Sequence, residues 1–456
     1  MSTREPGSDL QQDPDPQPDP QHQQDSVPQP APDQASDSNA GELGPVKKSG
    51  AGRSRARRFT DALVTANTGT VTTLAILLSF LVGALIIVVS DESVLATFPY
   101  FFSRPSDAFY AIWNSVGGAY LALFQGALVD IGTLQEALAG QTPWFRVFRP
   151  ISETLTNAAP LILTGLSFTL AFRAGMINIG GNGQAIMGAI GAALVGFGLH
   201  LPPVVHLLAA LLAGIIGGGL WGLVPGVLKA RTGAHEVITT IMLNYIALNF
   251  LVWLVVQPGV QRSGHNNAIS EFVDPNAQLW PLAGEYLRVN FGIVVALLAA
   301  VAVAWLLRRS TLGFELRTVG SNPDAARTAG MSVGKAYMMA MALAGGLSGL
   351  GGASILLGTA HSLTPAVVGE AGFDGITVAL LGRGKPLGTV LAGLLFGGLA
   401  AASRGMQADA DVPIDMVNVL QALIVLFIAA PALVKTVFRL REERKGSLEL
   451  ATAKGW

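Results

Sequence analysis

The side chains best placed to handle a small molecule are amides set among glycines. In AFRAGMINIGGNGQ, residues 171–184, Asn178, Asn182 and Gln184 alternate with Gly180, Gly181 and Gly183. An amide offers two donors and a carbonyl acceptor, and the glycines break helical backbone so that main-chain groups can join them. That combination suits a neutral, hydroxyl-rich or heterocyclic solute. The same residues also suit a tight turn whose amides satisfy its own backbone, and both readings stand at this point. Asn244 and Asn249 interrupt a long apolar run, where a polar group either bonds a neighbouring helix or faces a wet path. Asp374 and Arg383 flank a shorter apolar piece at 376–381, either as solute contacts or as a pair with each other. His235 and Glu236 sit in a short polar loop and read as helix-start and contact residues.

Covalent and metal chemistry have no footing. There is no cysteine, and the six histidines form neither HExxH nor a close cluster, so thiol catalysis, zinc-thiolate sites and other metal centres are not expected. GxxxxGK[ST] is also missing: Gly334-Lys335 is followed by Ala336, and Gly384-Lys385 by Pro386. Without a phosphate-binding loop the chain is not expected to hydrolyse ATP or to bind a cofactor of its own. No catalytic residue is assigned.

The elements that must position these residues are membrane helices. Half of the 456 residues are hydrophobic and 13% are charged, against about 25% charged in soluble domains. Apolar runs of roughly 18 residues or more, enough to cross about 30 Å of hydrocarbon, recur near 71–89, 153–172, 184–199, 204–228, 237–256, 291–307, 336–357, 387–402 and 416–434. Residues 1–58 form an acidic, Pro- and Gln-rich tail, read as disordered, that ends in a basic cluster from Lys47 to Arg58. Positive flanks stay in the cytoplasm, which puts both the N-terminus and the basic C-terminal tail at 437–456 inside. Nucleic-acid binding by the basic cluster is not expected. The region 90–152, with one borderline piece at 109–129, reads as interfacial or external helices. The piece 373–382 and the span after Leu387 form a hairpin whose first arm is read as a re-entrant or broken helix. The fold class is therefore all-α and polytopic, with about eight to ten crossings within 59–436.

One loop is out of keeping with an apolar chain. Residues 313–337, GFELRTVGSNPDAARTAGMSVGKAY, are charged, and Arg308, Arg309, Arg317, Arg327 and Lys335 place them in the cytoplasm. Asn322 can cap a helix, Pro323 suits its first turn, Asp324 favours its positive end and Gly330 can end it. A short helix with small residues, Ala325 and Ala326 among them, is a shape that a groove on a soluble partner can accept.

Asp324-Ala325-Ala326, followed by Gly330, resembles the coupling loop of ATP-binding-cassette importer membrane subunits, with Asp in place of the usual Glu. Three further stretches are similar to signature segments of the simple-sugar and nucleoside branch of the ribose and branched-chain amino-acid importer class. These are AFRAGMINIGGNGQ, GAHEVITTIMLNYIA at 233–247 and GFDGITVALLGRGKPLG at 372–388. Together they cover most of the chain from about Glu153 onward. The first departs from the family pattern Phe-Asn-Ile-Gly-Ala-Glu-Gly-Gln, because Ile177, Gly181 and Asn182 stand at the Phe, Ala and Glu positions.

The resemblance implies a multi-pass permease in a bacterial plasma membrane that passes a nucleoside or simple sugar across the lipid. It further implies a cytoplasmic ATPase that uses the ATP and docks on the loop at 313–335 through Asp324, Ala325, Ala326 and Gly330. A second permease subunit and an external solute-binding lipoprotein complete the machine. Asn178, Asn182, Gln184, Asn244 and Asp374 are the expected pathway residues. The rival reading is an ion-coupled secondary transporter of a small polar solute, which also uses broken helices but needs a coupling-ion site, for which few intramembrane carboxylates are available.

Overall fold

The computed structural model describes residues 68–410 and 415–439. The tail at 1–58 and the C-terminal tail beyond 439 lie outside the described residues. In chain order the elements are α1 (Thr68–Ser90), α2 (Pro105–Ala127), α3 (Ile131–Leu138), α4 (Arg149–Arg173), α5 (Gly181–Gly198), α6 (Pro203–Thr232), α7 (Glu236–Leu254), α8 (Gly292–Arg309), α9 (Thr311–Ser321), α10 (Pro323–Thr328), α11 (Val333–Ile355), α12 (Ala371–Leu381), α13 (Pro386–Ala410), α14 (Asp415–Ala429) and α15 (Pro431–Val437). Short helical turns fill some of the connections. Among the described residues the only β pairing is two isolated bridges, Gln261 with Ser270 and Pro281 with Asn290.

Among the described residues, seven helices are long and apolar enough to cross a bilayer, and the number rises to nine if each of two bent pairs is one span. The pairs are α2 with α3, bent by 60°, and α14 with α15, bent by 89°. Two elements differ in detail from the sequence reading. Residues 105–127 form one helix of 23 residues lying along α13, so close that a Cβ on Gly126 would sit 2.9 Å from Ala402 Cα. Asn114, Gln125 and several glycines lower its hydropathy and disguise its length. Conversely, α5 falls outside the seven because its first turn is glycine and amide, yet eleven of its residues are buried by neighbouring helices.

The centre of the bundle is a seam of glycines. Gly214, Gly218 and Gly222 of α6 face Gly345 and Gly349 of α11, and Gly188 of α5 also abuts Gly349. A Cβ on Gly345 would come 2.9 Å from Gly222 Cα, and one on Gly349 would come 2.8 Å from Gly218 Cα. Backbones that meet this closely gain dispersion contacts along several turns, the main packing energy available inside lipid. On the other side of α11, α4 packs against α12 and α13, where Gly375 abuts Thr164 and Gly397 abuts Ala158.

The two ends of the bundle are chemically distinct. Arg173, Lys229, Arg308, Arg327 and Arg383 collect at one end, where Arg173 Nε donates to Gly384 O at 2.9 Å and Lys229 shares a groove with Arg327. By the positive-inside rule this end is cytoplasmic. At the opposite end the segment 257–291 lies across the helix mouths. Val273 N donates to His361 O, Ser270 N to Leu363 O and Leu279 N to Leu357 O, each at 2.9 Å, and Leu363 N returns a bond to Ser270 Oγ. Those bonds satisfy irregular backbone that lipid could not.

Candidate functional site

The amide-rich stretch folds into a closed knot. Asn178 Nδ2 donates to Gln184 Oε1 at 2.8 Å and Gln184 Nε2 donates back to Asn178 Oδ1 at 3.0 Å, so the two side chains form a reciprocal amide pair. Asn178 also reaches Ser167 of α4 and accepts from Gly180 N. Asn244, from α7, accepts from Gly183 N at 2.8 Å and donates to Ile179 O at 2.9 Å. Asn178, Gln184 and Asn244 are buried, whereas Asn182 is half-buried and accepts from Gly372 N. The structure brings Asn178, Gln184 and Asn244 together; their partners, which depend on how α4, α7 and α12 converge, were not visible in the sequence. Asn249 is exposed and donates to Tyr245 O of its own helix, so of the two asparagines α7 turns only Asn244 inward.

This knot braces three helices and the start of a fourth. Asn178→Leu removes both halves of the amide pair and leaves buried partners unpaired, at a cost of about 1–3 kcal/mol. The expected result is a lower midpoint of thermal unfolding in detergent, with Asn249→Leu as the control that leaves it unchanged.

Asp374 and Arg383 do not pair. They lie at opposite ends of α12, roughly 13 Å apart at 1.5 Å per residue. Arg383 Nη2 donates to Thr72 Oγ1 of α1, and its turn has φ of 54°, with Gly384 at 57°. Asp374 instead lines a cavity of about 340 Å³. Its other walls are Thr156, Asn157 and Pro160 of α4, Arg288 and Asn290 before α8, the end of α11 with its π turn at Leu356–Ala360, and the non-helical stretch 366–370. The cavity lies toward the outer end, beside the ion pair of Arg288 with Glu153 at 3.0 Å. Apart from Asp374, none of its polar residues had been singled out in the sequence, because they come from four separate segments with no shared spacing.

At the cytoplasmic end the expected loop helix is present with the expected caps. Asn322 Oδ1 accepts from Asp324 N and Ala325 N, both at 3.0 Å, and Pro323 opens α10. Gly330 has φ of 82°, a left-handed conformation that a side chain would strain. Asp324 is 89% exposed and pairs with Arg327 at 3.0 Å. Ala325 and Ala329 are exposed, whereas Ala326 is wholly buried. The four motif residues therefore divide into an outward pair, Asp324 and Ala325, and two that set the shape, Ala326 and Gly330. Nearby, Lys229 Nζ bonds Glu236 Oε2 at 2.8 Å, which confirms Glu236 as a contact residue at the start of α7.

The loop also touches the knot's own approach. Gly320, near the end of α9, packs on the turn after α4, where a Cβ would come 2.7 Å from Gly175 N and 2.8 Å from Ala174 C. Gly175 itself has φ of 74°. Three residues further along the chain is Asn178.

A bundle of membrane helices with internal breaks, a polar cavity at one end and a capped, exposed helix at the other is the architecture of a membrane transport subunit. The family described as branched-chain amino acid transport system / permease component matches residues 151–429, and the chain belongs to that family. Among its relatives, the guanosine ABC transporter permease protein NupP of Bacillus subtilis is 39% identical over 322 residues, 70% of this chain and 92% of the relative. The nucleoside ABC transporter permease protein NupB of Lactococcus lactis is 37% identical over 63% of this chain and 81% of the relative. The glucose ABC transporter permease protein TsgB13 of Haloferax volcanii is 34% identical over 61% of this chain and 75% of the relative. No solved structure matches the chain. The protein is thus a multi-pass permease of the membrane.

Proposed function

We propose that the chain translocates a nucleoside or simple sugar, delivered from outside by a solute-binding lipoprotein, and that it works beside a second permease subunit. The observation that carries this reading is the exposed, doubly capped helix α10 carrying Asp324 and Ala325. It offers a rigid, small-residue contact to a cytoplasmic ATPase, and such a contact is of use only to a machine driven from that side. The relatives named for guanosine, nucleosides and glucose support the solute class. ATP is bound and used by the partner; this chain contributes no cofactor site and no hydrolytic centre of its own.

In this reading α10 moves with the ATPase, α9 carries the displacement to the Gly320–Gly175 contact, and the turn passes it to Asn178. Asn178, Gln184 and Asn244 brace the pathway wall, while Asn182 and Asp374 face the solute's route. Reconstitution with the partner ATPase and a loaded binding protein tests this. Uptake of radiolabelled guanosine or glucose should require ATP and the ATPase subunit. Uptake by the permease alone, driven by an imposed ion gradient, would select the secondary-transporter reading instead.

A further inference from the structure

Asn178, Gln184 and Asn244, among the amides that first suggested a solute site, have spent their hydrogen bonds on each other and on nearby backbone. The cavity beside α12 is in the opposite condition. Asn157 Nδ2 is buried at its wall without a hydrogen-bond partner among the described residues. A donor left in that state costs about 1–3 kcal/mol, so it marks a place where something outside the chain completes the bonding. The side-chain carboxylates of Glu370 and Asp374, on the same wall, take no hydrogen bond from any described residue.

The geometry points to a bound solute. We propose that this cavity holds the solute by its vicinal hydroxyls, with Asp374 and Glu370 accepting from the diol and Asn157 donating to a ring or base acceptor. The proposal rests on the functional reading above and names the site within it. Four physical points support it. First, about 340 Å³ lies at the lower end of the range of small-molecule pockets, the size of a single sugar or nucleoside. Second, an ionised carboxylate is acceptor-only, and its two oxygens match two neighbouring O–H donors. Third, the charge of the wall selects against anions. Arg288 is the cation lining the cavity and is already bonded to Glu153, so the carboxylates face the space uncompensated, and a phosphorylated sugar is repelled. Fourth, the backbone is irregular where it borders this space: Pro160 lies inside α4, a π turn ends α11, and His361 follows it at φ of 56°. Such departures gather at functional sites and are tolerated at membrane depth where they line a cavity.

The natural absence of cysteine supplies the test. Thr359→Cys, at the cavity wall, is placed in the complete transporter with its ATPase and binding protein and exposed to a membrane-impermeant methanethiosulfonate from outside. Guanosine-loaded or glucose-loaded binding protein should slow its labelling about tenfold relative to empty binding protein, the protection expected at tenfold saturation of the site. Leu282→Cys, exposed on the outer segment, should label at the same rate in both cases. In parallel, Asp374→Asn should raise KM for guanosine by about tenfold, equivalent to about 1.4 kcal/mol, and change it little for the 2′,3′-dideoxy analogue, whereas Asn157→Leu should raise KM for both by a similar factor. Glucose-loaded and guanosine-loaded arms distinguish a hexose from a ribosyl diol. Solute-independent labelling of Thr359→Cys, or unchanged KM in the variants, would overturn the site. If Asp374→Asn fails to assemble, labelling protection at Thr359→Cys still decides. Failure of the unsubstituted transporter to move either solute would overturn the functional reading instead, which keeps the two failures apart.

Discussion

Gly349→Leu should prevent recovery of folded protein from membranes. Gly349 lies where α5, α6 and α11 meet: its missing side chain is replaced by the backbone of Gly214 and Gly218, and Gly188 of α5 abuts its own backbone. A side chain there cannot be accommodated by a rotamer change, because the atoms it would strike are backbone. The helices would have to separate along several turns, giving up contacts at Gly218, Gly222 and Gly345 together. Ordinary over-packing costs about 1–3 kcal/mol, and this substitution should exceed that range because the nearest obstructing atoms are all helix backbone. The measurement is the yield of monodisperse protein after detergent extraction and gel filtration. Gly117→Leu on α2, where nothing lies within 4 Å of a built Cβ, should be recovered normally. Equal recovery of the two variants would mean that the seam does not hold the bundle together.

Ala325→Trp should leave the protein folded and uncouple it. Ala325 is exposed on α10, directly after Asp324, and its small side chain lets another backbone approach. Indole at that position should hold the ATPase away and lower solute-stimulated ATP hydrolysis and uptake by about tenfold or more, corresponding to the loss of about 1.4 kcal/mol of docking free energy. Ala326→Trp is the instructive contrast. Ala326 has no exposed surface, so the same substitution one residue later should lower the unfolding midpoint first and transport only as a consequence. A pair of variants with matched stability and matched loss of coupling would show that α10 has no outward docking face. Normal ATP-dependent uptake by Ala325→Trp, with the ATPase still bound, would remove α10 from the coupling route.

How much of this was legible in the sequence depended on the range of the interactions involved. The cap at Asn322, the proline after it and the left-handed glycine at Gly330 are local, fixed by residues within one or two turns, and all three appeared where the residue types placed them. The amide stretch was legible as a cluster, because Asn178 and Gln184 lie close in sequence, but its pairing with Asn244 joins residues from separate helices. Periodicity also misled at the margins. Helix α2 was too polar to be read as a single long helix, and α5 owes its burial to neighbours that composition does not name. The cavity was least visible of all. Asn157, Asn290, Thr359 and Glu370 meet only because α4, the segment before α8, the π turn and the segment before α12 converge, and no spacing rule connects them. Asp374 was flagged for its charge near an apolar run, as a pathway residue or a partner of Arg383, but the walls that would surround it were not visible.

The glycine seam also has a mechanical consequence. Helices whose backbones touch over several turns cannot slide or tilt against each other without breaking many contacts at once, so α5, α6 and α11 form a stiff spine. Compliance is left to the outer corner, where a proline, a π turn and nine residues of irregular chain at 362–370 replace continuous hydrogen-bonded helix. Thermal motion and ligand-driven displacement in this subunit should therefore concentrate around one solute-sized volume, while the spine keeps its shape and transmits force to it from the far side of the membrane.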